Sequence, residues 1–155
     1  MAAKDHPSLI LPPPTYPAAL FLLALVLDGR LLPGFPAEAT WTVWPGAVLV
    51  VLGLGFAGWA VLCFVRAGTH VEPHKPTLVL VTRGPFRLSR NPIYTSFFLL
   101  FVGMGLVFRL EWTIALLPLL WACMRFLVIA PEENFLRKHF GPAYADYQKR
   151  VRRWL

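Results

Sequence analysis

Long apolar runs separated by short polar segments dominate the sequence. Four of them are predicted to be membrane-spanning helices, at residues 16–32, 41–65, 93–108 and 112–129. The second is free of charge and, at about 1.5 Å per residue, long enough to cross a hydrocarbon core of about 30 Å. Asp28 interrupts the first run. The alternative to a membrane-spanning helix there is a signal peptide that is cleaved near residues 37–39. The pattern predicts an all-α integral membrane protein with a single domain, residues 1–155.

Only residues 109–111 separate the third run from the fourth. Such a short connection predicts a tight helical hairpin. Glycines also occur inside the second and third runs, where a missing side chain lets two helices approach closely. We therefore expect Gly53, Gly55 and Gly58 to lie at helix contacts, and Gly103 and Gly105 to serve the packing of the hairpin.

Basic residues are concentrated in two polar segments. The loop 66–92 has five basic residues and one acidic residue, and the tail 131–155 has six basic residues. Since basic loops stay on the cytoplasmic side, both segments are expected there. Four crossings satisfy this condition and place the two segments on the same face of the membrane.

Composition supports a membrane location. Hydrophobic residues make up 57% of the chain and charged residues 15%, with a mean hydropathy of +0.57, which is more apolar than a soluble domain needs. The net charge of +7 comes from residues beside the apolar runs, so it indicates contact with anionic lipid and no nucleic-acid partner. No metal site is predicted: Cys63 and Cys123 each lie within an apolar run, and prolines disfavour a helix that would pair His70 with His74.

The two polar segments contain the candidate chemistry. The first holds three arginines within eight residues, followed by Asn91 and Tyr94, and the second holds the adjacent pair Glu132 and Glu133. Arginines facing a pair of carboxylates suit a zwitterionic ligand such as S-adenosylmethionine. Its carboxylate can accept a bidentate arginine, and its ribose hydroxyls can donate to a glutamate.

Methyl transfer needs little from the protein beyond position and the exclusion of water, because the step is an in-line displacement. An enzyme of this kind therefore needs no nucleophile motif. Arg125 lies inside the fourth run near its cytoplasmic end, where a charge is costly and usually faces a partner or an aqueous cavity. We include it among the candidate catalytic residues.

The tail is predicted to form two cytoplasmic helices. Pro131 suits the first turn of a new helix that runs to about His139, and Gly141 then marks a turn. In the second helix, the spacing of Tyr144, Tyr147, Val151 and Trp154 predicts an amphipathic helix with an aromatic stripe. We expect this stripe to pack over the loop and the bilayer surface.

Two strings in the sequence resemble a known family. They are Leu-Val-Thr-Arg-Gly-Pro-Phe-Arg at 80–87 with Arg-Asn-Pro-Ile-Tyr at 90–94, and Pro-Glu-Glu at 131–133 with Leu136, Phe140, Gly141, Tyr144, Tyr147 and Val151. Their order and spacing are similar to those of the isoprenylcysteine carboxyl methyltransferase and phospholipid methyltransferase superfamily, from about Gly68 to the C-terminus. The resemblance implies an integral membrane methyltransferase that takes S-adenosylmethionine from the cytosol and a hydrophobic acceptor from the bilayer.

The resemblance also implies roles for individual residues. The strings at 90–94 and 132–133 correspond to the family's Arg-His-Pro-x-Tyr element and paired glutamates, both associated with the cofactor. Asparagine replaces the family's histidine here, which removes a titratable group; bacterial relatives with this asparagine suggest an inner-membrane protein. With the arginines added, the predicted cofactor-binding residues are Arg87, Arg90, Asn91, Tyr94, Glu132 and Glu133, and the predicted catalytic residues are Arg90, Tyr94 and Arg125.

Two other functions remain open at this stage. Membrane reductases of the sterol reductase type resemble the same C-terminal pattern but use a nicotinamide cofactor and are much longer. A non-enzymatic protein that binds anionic lipid would explain the arginines but not the paired glutamates. Binding of S-adenosylmethionine by the purified protein would separate these possibilities. The sequence does not identify the acceptor.

Overall fold

The computed structural model describes residues 10–28, 40–71 and 78–155, and all regular elements within these ranges are helical. The first three helices are α1 (Thr15–Leu27), α2 (Val43–Arg66) and α3 (Pro92–Phe108). After them come α4 (Trp112–Ala115), α5 (Leu117–Ala122), a π-helical segment (Cys123–Ile129), α6 (Ala130–Phe140) and α7 (Pro142–Arg150). Short 3-10 helices occupy Thr40–Thr42 and Gly84–Arg87. The predicted helical fold class is confirmed for these residues.

One helix in the described part of the chain, Thr40–Arg66, is long and apolar enough to cross a membrane. Much of its apolar surface is exposed, including Val51, Leu54 and Leu62. The helices α1 and α3 are apolar but shorter, so four crossings remain a prediction. Residues 29–32 at the end of the first predicted run, the cleavage-like residues 37–39 and His74 lie outside the described residues.

The fourth apolar run is not the single α-helix that the sequence predicted. It breaks at Leu116, between α4 and α5, where Pro118 in the first turn of α5 has no N–H to continue the helical ladder. The predicted helix with Pro131 in its first turn is confirmed as α6, although the π-helical segment leads into it without a break. In an α-helix a proline ring would clash with the carbonyl group four residues earlier, and the residue four before Pro131 lies in the π-helical segment.

Glycines bring α2 and α3 together along their length. A Cβ atom added to Gly46 would lie 2.8 Å from the carbonyl oxygen of Gly103. The predicted contacts are confirmed for Gly53, which meets Leu100, and for Gly105, which meets Thr113 across the hairpin. Gly103 meets Gly46 of α2 and not the fourth run, contrary to the prediction. The prediction is wrong for Gly55 and Gly58, where no atom of the described residues lies within 4 Å of an added Cβ, so these two glycines lie away from the contact between α2 and α3.

The tail folds back over the loop. Tyr144 and Tyr147 are buried with Ala60 and Phe86, and the Tyr147 hydroxyl donates a 2.7 Å hydrogen bond to the carbonyl oxygen of Phe86. The predicted packing of these two tyrosines over the loop is therefore confirmed. The predicted helix is too long, however, because α7 ends at Arg150 and Val151 is extended. This change of direction brings the last residues of the chain beside residues 89–91.

Candidate active site

The site forms where the beginning of α3 meets the first turn of α6. The Tyr94 hydroxyl donates a 2.7 Å hydrogen bond to Oε2 of Glu132. Tyr94 is buried, and Pro92 occupies the first position of α3, where the absence of an N–H costs no helical hydrogen bond. The two clusters identified in the sequence are thus in direct contact.

Glu133 lies beside two arginines. Arg153 binds it with both ends of its guanidinium group, Nε to Oε1 at 3.0 Å and Nη2 to Oε2 at 2.7 Å. Arg90 approaches Oε1 from another direction, with its Nη2 at 3.4 Å. Glu133 is only 5% exposed, and burying a charge is costly unless it is paired and hydrogen-bonded. Among these three side chains, two positive guanidinium groups face a single carboxylate.

Backbone and side-chain hydrogen bonds fix the tail beside these residues. The Arg90 N–H donates to the carbonyl oxygen of Arg152 at 2.9 Å. The Arg153 carbonyl oxygen accepts from the Ser89 hydroxyl at 3.0 Å and from the Asn91 side-chain amide at 3.1 Å. One role of Asn91 is therefore to hold the tail, a role that an amide performs without any titratable group.

Burial changes the acidity of groups in the site. It raises the pKa of the Glu132 carboxyl from 4.5 to about 7, against the opposing effect of the hydrogen bond from Tyr94. The charge of the neighbouring Glu133 adds to this increase. Burial likewise raises the pKa of the Tyr144 hydroxyl. Glu132 can consequently exchange a proton near neutral pH, whereas Tyr144 stays neutral.

Two adjoining cavities meet at the site. The larger has a volume of about 260 Å³ and a wall that includes Pro14, Ile93, Tyr94 and Phe97. The smaller has a volume of about 60 Å³ and is bordered by Glu133, Leu136 and the two buried tyrosines of α7. Both are lined by Phe64, Val71, Phe86, Arg90, Asn91 and Glu132. The polar residues of the site therefore stand between an apolar space and a more polar one.

The structure separates the predicted site residues into two groups. Arg90, Asn91, Tyr94, Glu132 and Glu133 come together around the cavities. Arg87 is exposed at the end of its 3-10 helix and lines neither cavity. Arg125 also lines neither; it lies on the π-helical segment with its guanidinium carbon 5.5 Å from the centre of the Phe126 ring.

Sequence reasoning missed three residues of the site. Arg153 was one of six basic residues in the tail, and nothing in the linear pattern singled it out. Ser89 carries no motif of its own, although it is fully buried and bonded to the tail. Phe97 looked like any other apolar residue of α3, but it borders the larger cavity.

Comparisons with known proteins identify the family to which the sequence is similar. The model of a family described as phospholipid methyltransferase matches residues 41–143. A probable protein-S-isoprenylcysteine O-methyltransferase of Oryza sativa subsp. indica is 35% identical over 115 residues, which is 68% of this chain and 56% of that protein. The corresponding methyltransferase of Dictyostelium discoideum is 31% identical over 122 residues, 76% of this chain and 51% of that protein.

A further relative is named for metal resistance and not for methyl transfer. The nickel-cobalt-cadmium resistance protein NccN of Alcaligenes xylosoxydans xylosoxydans is 31% identical over 108 residues, 70% of this chain and 50% of that protein. The chain spans about half the length of these curated relatives. No solved structure matches it.

Proposed function

The chain belongs to the phospholipid methyltransferase family, and on this premise we propose that it transfers a methyl group from S-adenosylmethionine to a hydrophobic acceptor at the cytoplasmic face of the membrane. The observation that carries the proposal is the position of Arg90, Asn91 and Glu132. These three residues line both cavities, so a polar donor and an apolar acceptor can meet beside them.

Arg90 is the residue best suited to hold the carboxylate of the cofactor. Its side chain is 11% exposed, and its Nε has no hydrogen-bond partner among the described residues. A buried donor of this kind is costly unless a ligand satisfies it. When bound, S-adenosylmethionine supplies an electrophilic methyl group on its sulfonium sulfur. The protein contributes position and a water-poor environment.

A third cavity supports a hydrophobic acceptor. It has a volume of about 410 Å³, lies between α1 and α3, and is lined entirely by apolar residues and prolines, among them Phe21, Leu100 and Met104. Pro14 and Phe97 line both this cavity and the larger cavity of the site. A hydrocarbon chain between α1 and α3 would therefore place its polar end near Tyr94 and Glu132.

Glu132 can also act as a base for a methyl acceptor that must lose a proton. A carboxylate acceptor can attack a methyl group without losing a proton, whereas an amine or a thiol must lose one. With a pKa of about 7, Glu132 is substantially ionised at neutral pH and yet basic enough to take that proton. The site can therefore serve either type of nucleophile.

We place this site on the cytoplasmic side of a multi-pass protein. Arg66 ends the long apolar helix, and the site lies just beyond that end, where Phe64 borders both cavities. The basic residues of the loop and the tail support the same orientation. We further propose that the remaining crossings involve α1, α3 and the segment from α4 to the π-helix, in a bacterial inner membrane.

The test is to incubate the detergent-purified protein with lipid extract and isotopically labelled S-adenosylmethionine, and to search the lipids for label by mass spectrometry. We expect a labelled hydrophobic product. Titration with S-adenosylhomocysteine should show binding, and Arg90→Ala should weaken it by about tenfold or more, because a desolvated arginine-carboxylate contact is lost.

The matched control is Arg137→Ala, which removes the same charge from an exposed position on α6 and should leave binding unchanged. A protein that binds neither S-adenosylmethionine nor S-adenosylhomocysteine while remaining folded would refute the proposal. Binding of a nicotinamide cofactor instead would favour a reductase. Binding of anionic lipid alone would favour a lipid-binding protein without catalytic activity.

A further inference from the structure

Resting on the proposed function, we infer that Arg153 is a positioning residue: by neutralising Glu133, it leaves Arg90 available for the carboxylate of the methyl donor. One buried carboxylate faces two guanidinium groups, and it bonds them unequally.

Arg153 is the principal partner of Glu133. It forms two hydrogen bonds, with one oxygen each, in the fork geometry that suits guanidinium and carboxylate groups. Arg90 approaches Glu133 at the longer distance of 3.4 Å, as an ion pair, and the Nε of Arg90 has no hydrogen-bond partner among the described residues. Arg90 thus retains hydrogen-bonding capacity that Arg153 has used.

Contacts on both sides of Arg153 hold the tail beside Glu133. Ser89 and Asn91 both donate to its carbonyl oxygen, and Arg90 donates its own N–H to the preceding carbonyl. On the other side, Trp154 packs edge-on against Phe98 of α3, with ring centroids 5.3 Å apart. Because these contacts already fix the backbone around Arg153, its binding to Glu133 costs little further conformational entropy.

Without Arg153, Glu133 would have to find its counter-charge in Arg90. A carboxylate this deeply buried is costly without a counter-charge, and Arg90 is already within reach of it. Arg90 would then be held by Glu133 rather than by the ligand. The consequence is specific, because only a ligand that carries a carboxylate would lose affinity.

The experiment compares two ligands by titration calorimetry on the full-length protein in detergent. The first is S-adenosylhomocysteine, and the second is its decarboxylated analogue, which lacks only the carboxylate. Arg153→Gln should weaken binding of the first by about tenfold and leave binding of the second unchanged. Arg150→Gln, which removes an exposed charge three residues earlier, should change neither.

Two further variants separate positioning from folding. Adding Glu133→Gln to Arg153→Gln should restore much of the lost affinity, because nothing then competes for Arg90. Arg153→Lys, which keeps the charge but not the two-point contact, should fall between the parent and Arg153→Gln.

Equal losses for both ligands in Arg153→Gln and in Arg153→Lys would show that the tail only supports the fold and would overturn the inference. Unchanged binding of both ligands would overturn it as well, as would a failure of the double variant to recover affinity. These results differ from failure of the proposed function, in which the parent protein itself binds neither ligand.

Discussion

The Tyr94 hydroxyl and the Glu132 carboxylate, 38 residues apart in the sequence, are joined by a hydrogen bond of 2.7 Å. This bond connects the helix that follows the arginine-rich loop with the helix that carries the paired glutamates. It also stabilises the ionised form of Glu132 against the effect of burial. Removal of this hydrogen bond should therefore change the pH dependence of the proposed methyl transfer.

Replacing Tyr94 by phenylalanine should raise the pKa of Glu132 further above 7, since the hydrogen bond that lowers it is lost. If Glu132 must be ionised for transfer, the rising limb of the pH–rate profile should move to higher pH. Tyr147→Phe is the control, because it removes an equally short hydrogen bond to a backbone carbonyl without touching Glu132. Identical profiles for Tyr94→Phe and the control would contradict this account.

Glu132 should also make the protein less stable as the pH rises. Between its unfolded pKa of 4.5 and its folded pKa of about 7, the folded state holds a proton that the unfolded state has released. The free energy of unfolding therefore falls over this window, by a total on the order of 3 kcal/mol, and is constant above it.

The measurement for this prediction is Tm in detergent on either side of the window, for the parent and for Glu132→Gln. The parent should lose more Tm than the variant when the pH is raised, because glutamine cannot ionise. A pH dependence as large in the variant as in the parent would assign the effect to other groups.

A methyl group at the crossing of α2 and α3 should destabilise the fold. In Gly103→Ala the new Cβ would lie 2.9 Å from the carbonyl oxygen of Gly46, so one helix has to shift, at a cost of about 1 to 3 kcal/mol. In Gly55→Ala on α2 the new Cβ meets no atom within 4 Å in the described part of the chain, so this change should be neutral or slightly stabilising. Thermal unfolding of the two variants in detergent would compare them; a Tm for Gly103→Ala as high as that of Gly55→Ala would contradict the contact.

The orientation of the site can be tested by cysteine labelling in intact cells, with Cys63 and Cys123 replaced by serine. Leu88 is a suitable position, since it is 53% exposed. Leu88→Cys should react with a membrane-impermeant maleimide only after the cells are permeabilised. Asp28→Cys, on the opposite side in the proposed topology, should react without that treatment. Labelling of Leu88→Cys in intact cells would reverse the proposed orientation.

Local patterns in the sequence determined the long apolar helix and the two polar clusters. An uninterrupted apolar run fixes a helix such as α2 because its backbone bonds are satisfied within the segment itself. Turn residues likewise fix local breaks, as Gly141 does between α6 and α7, where its φ of 53° belongs to a region that glycine adopts easily. Such features depend on neighbours in the chain, so the sequence alone reveals them.

Only the tertiary structure decided which side chains complete the site. Six basic residues of the tail could have neutralised Glu133, and the path of the backbone after Arg150 selects Arg153. The same holds for the glycines of α2, because contact with α3 depends on which face of the helix turns inward. Charge attraction and apolar packing depend on distance in space and not on separation in the sequence. The packing of the helices therefore decides which side chain lies close enough to become the partner.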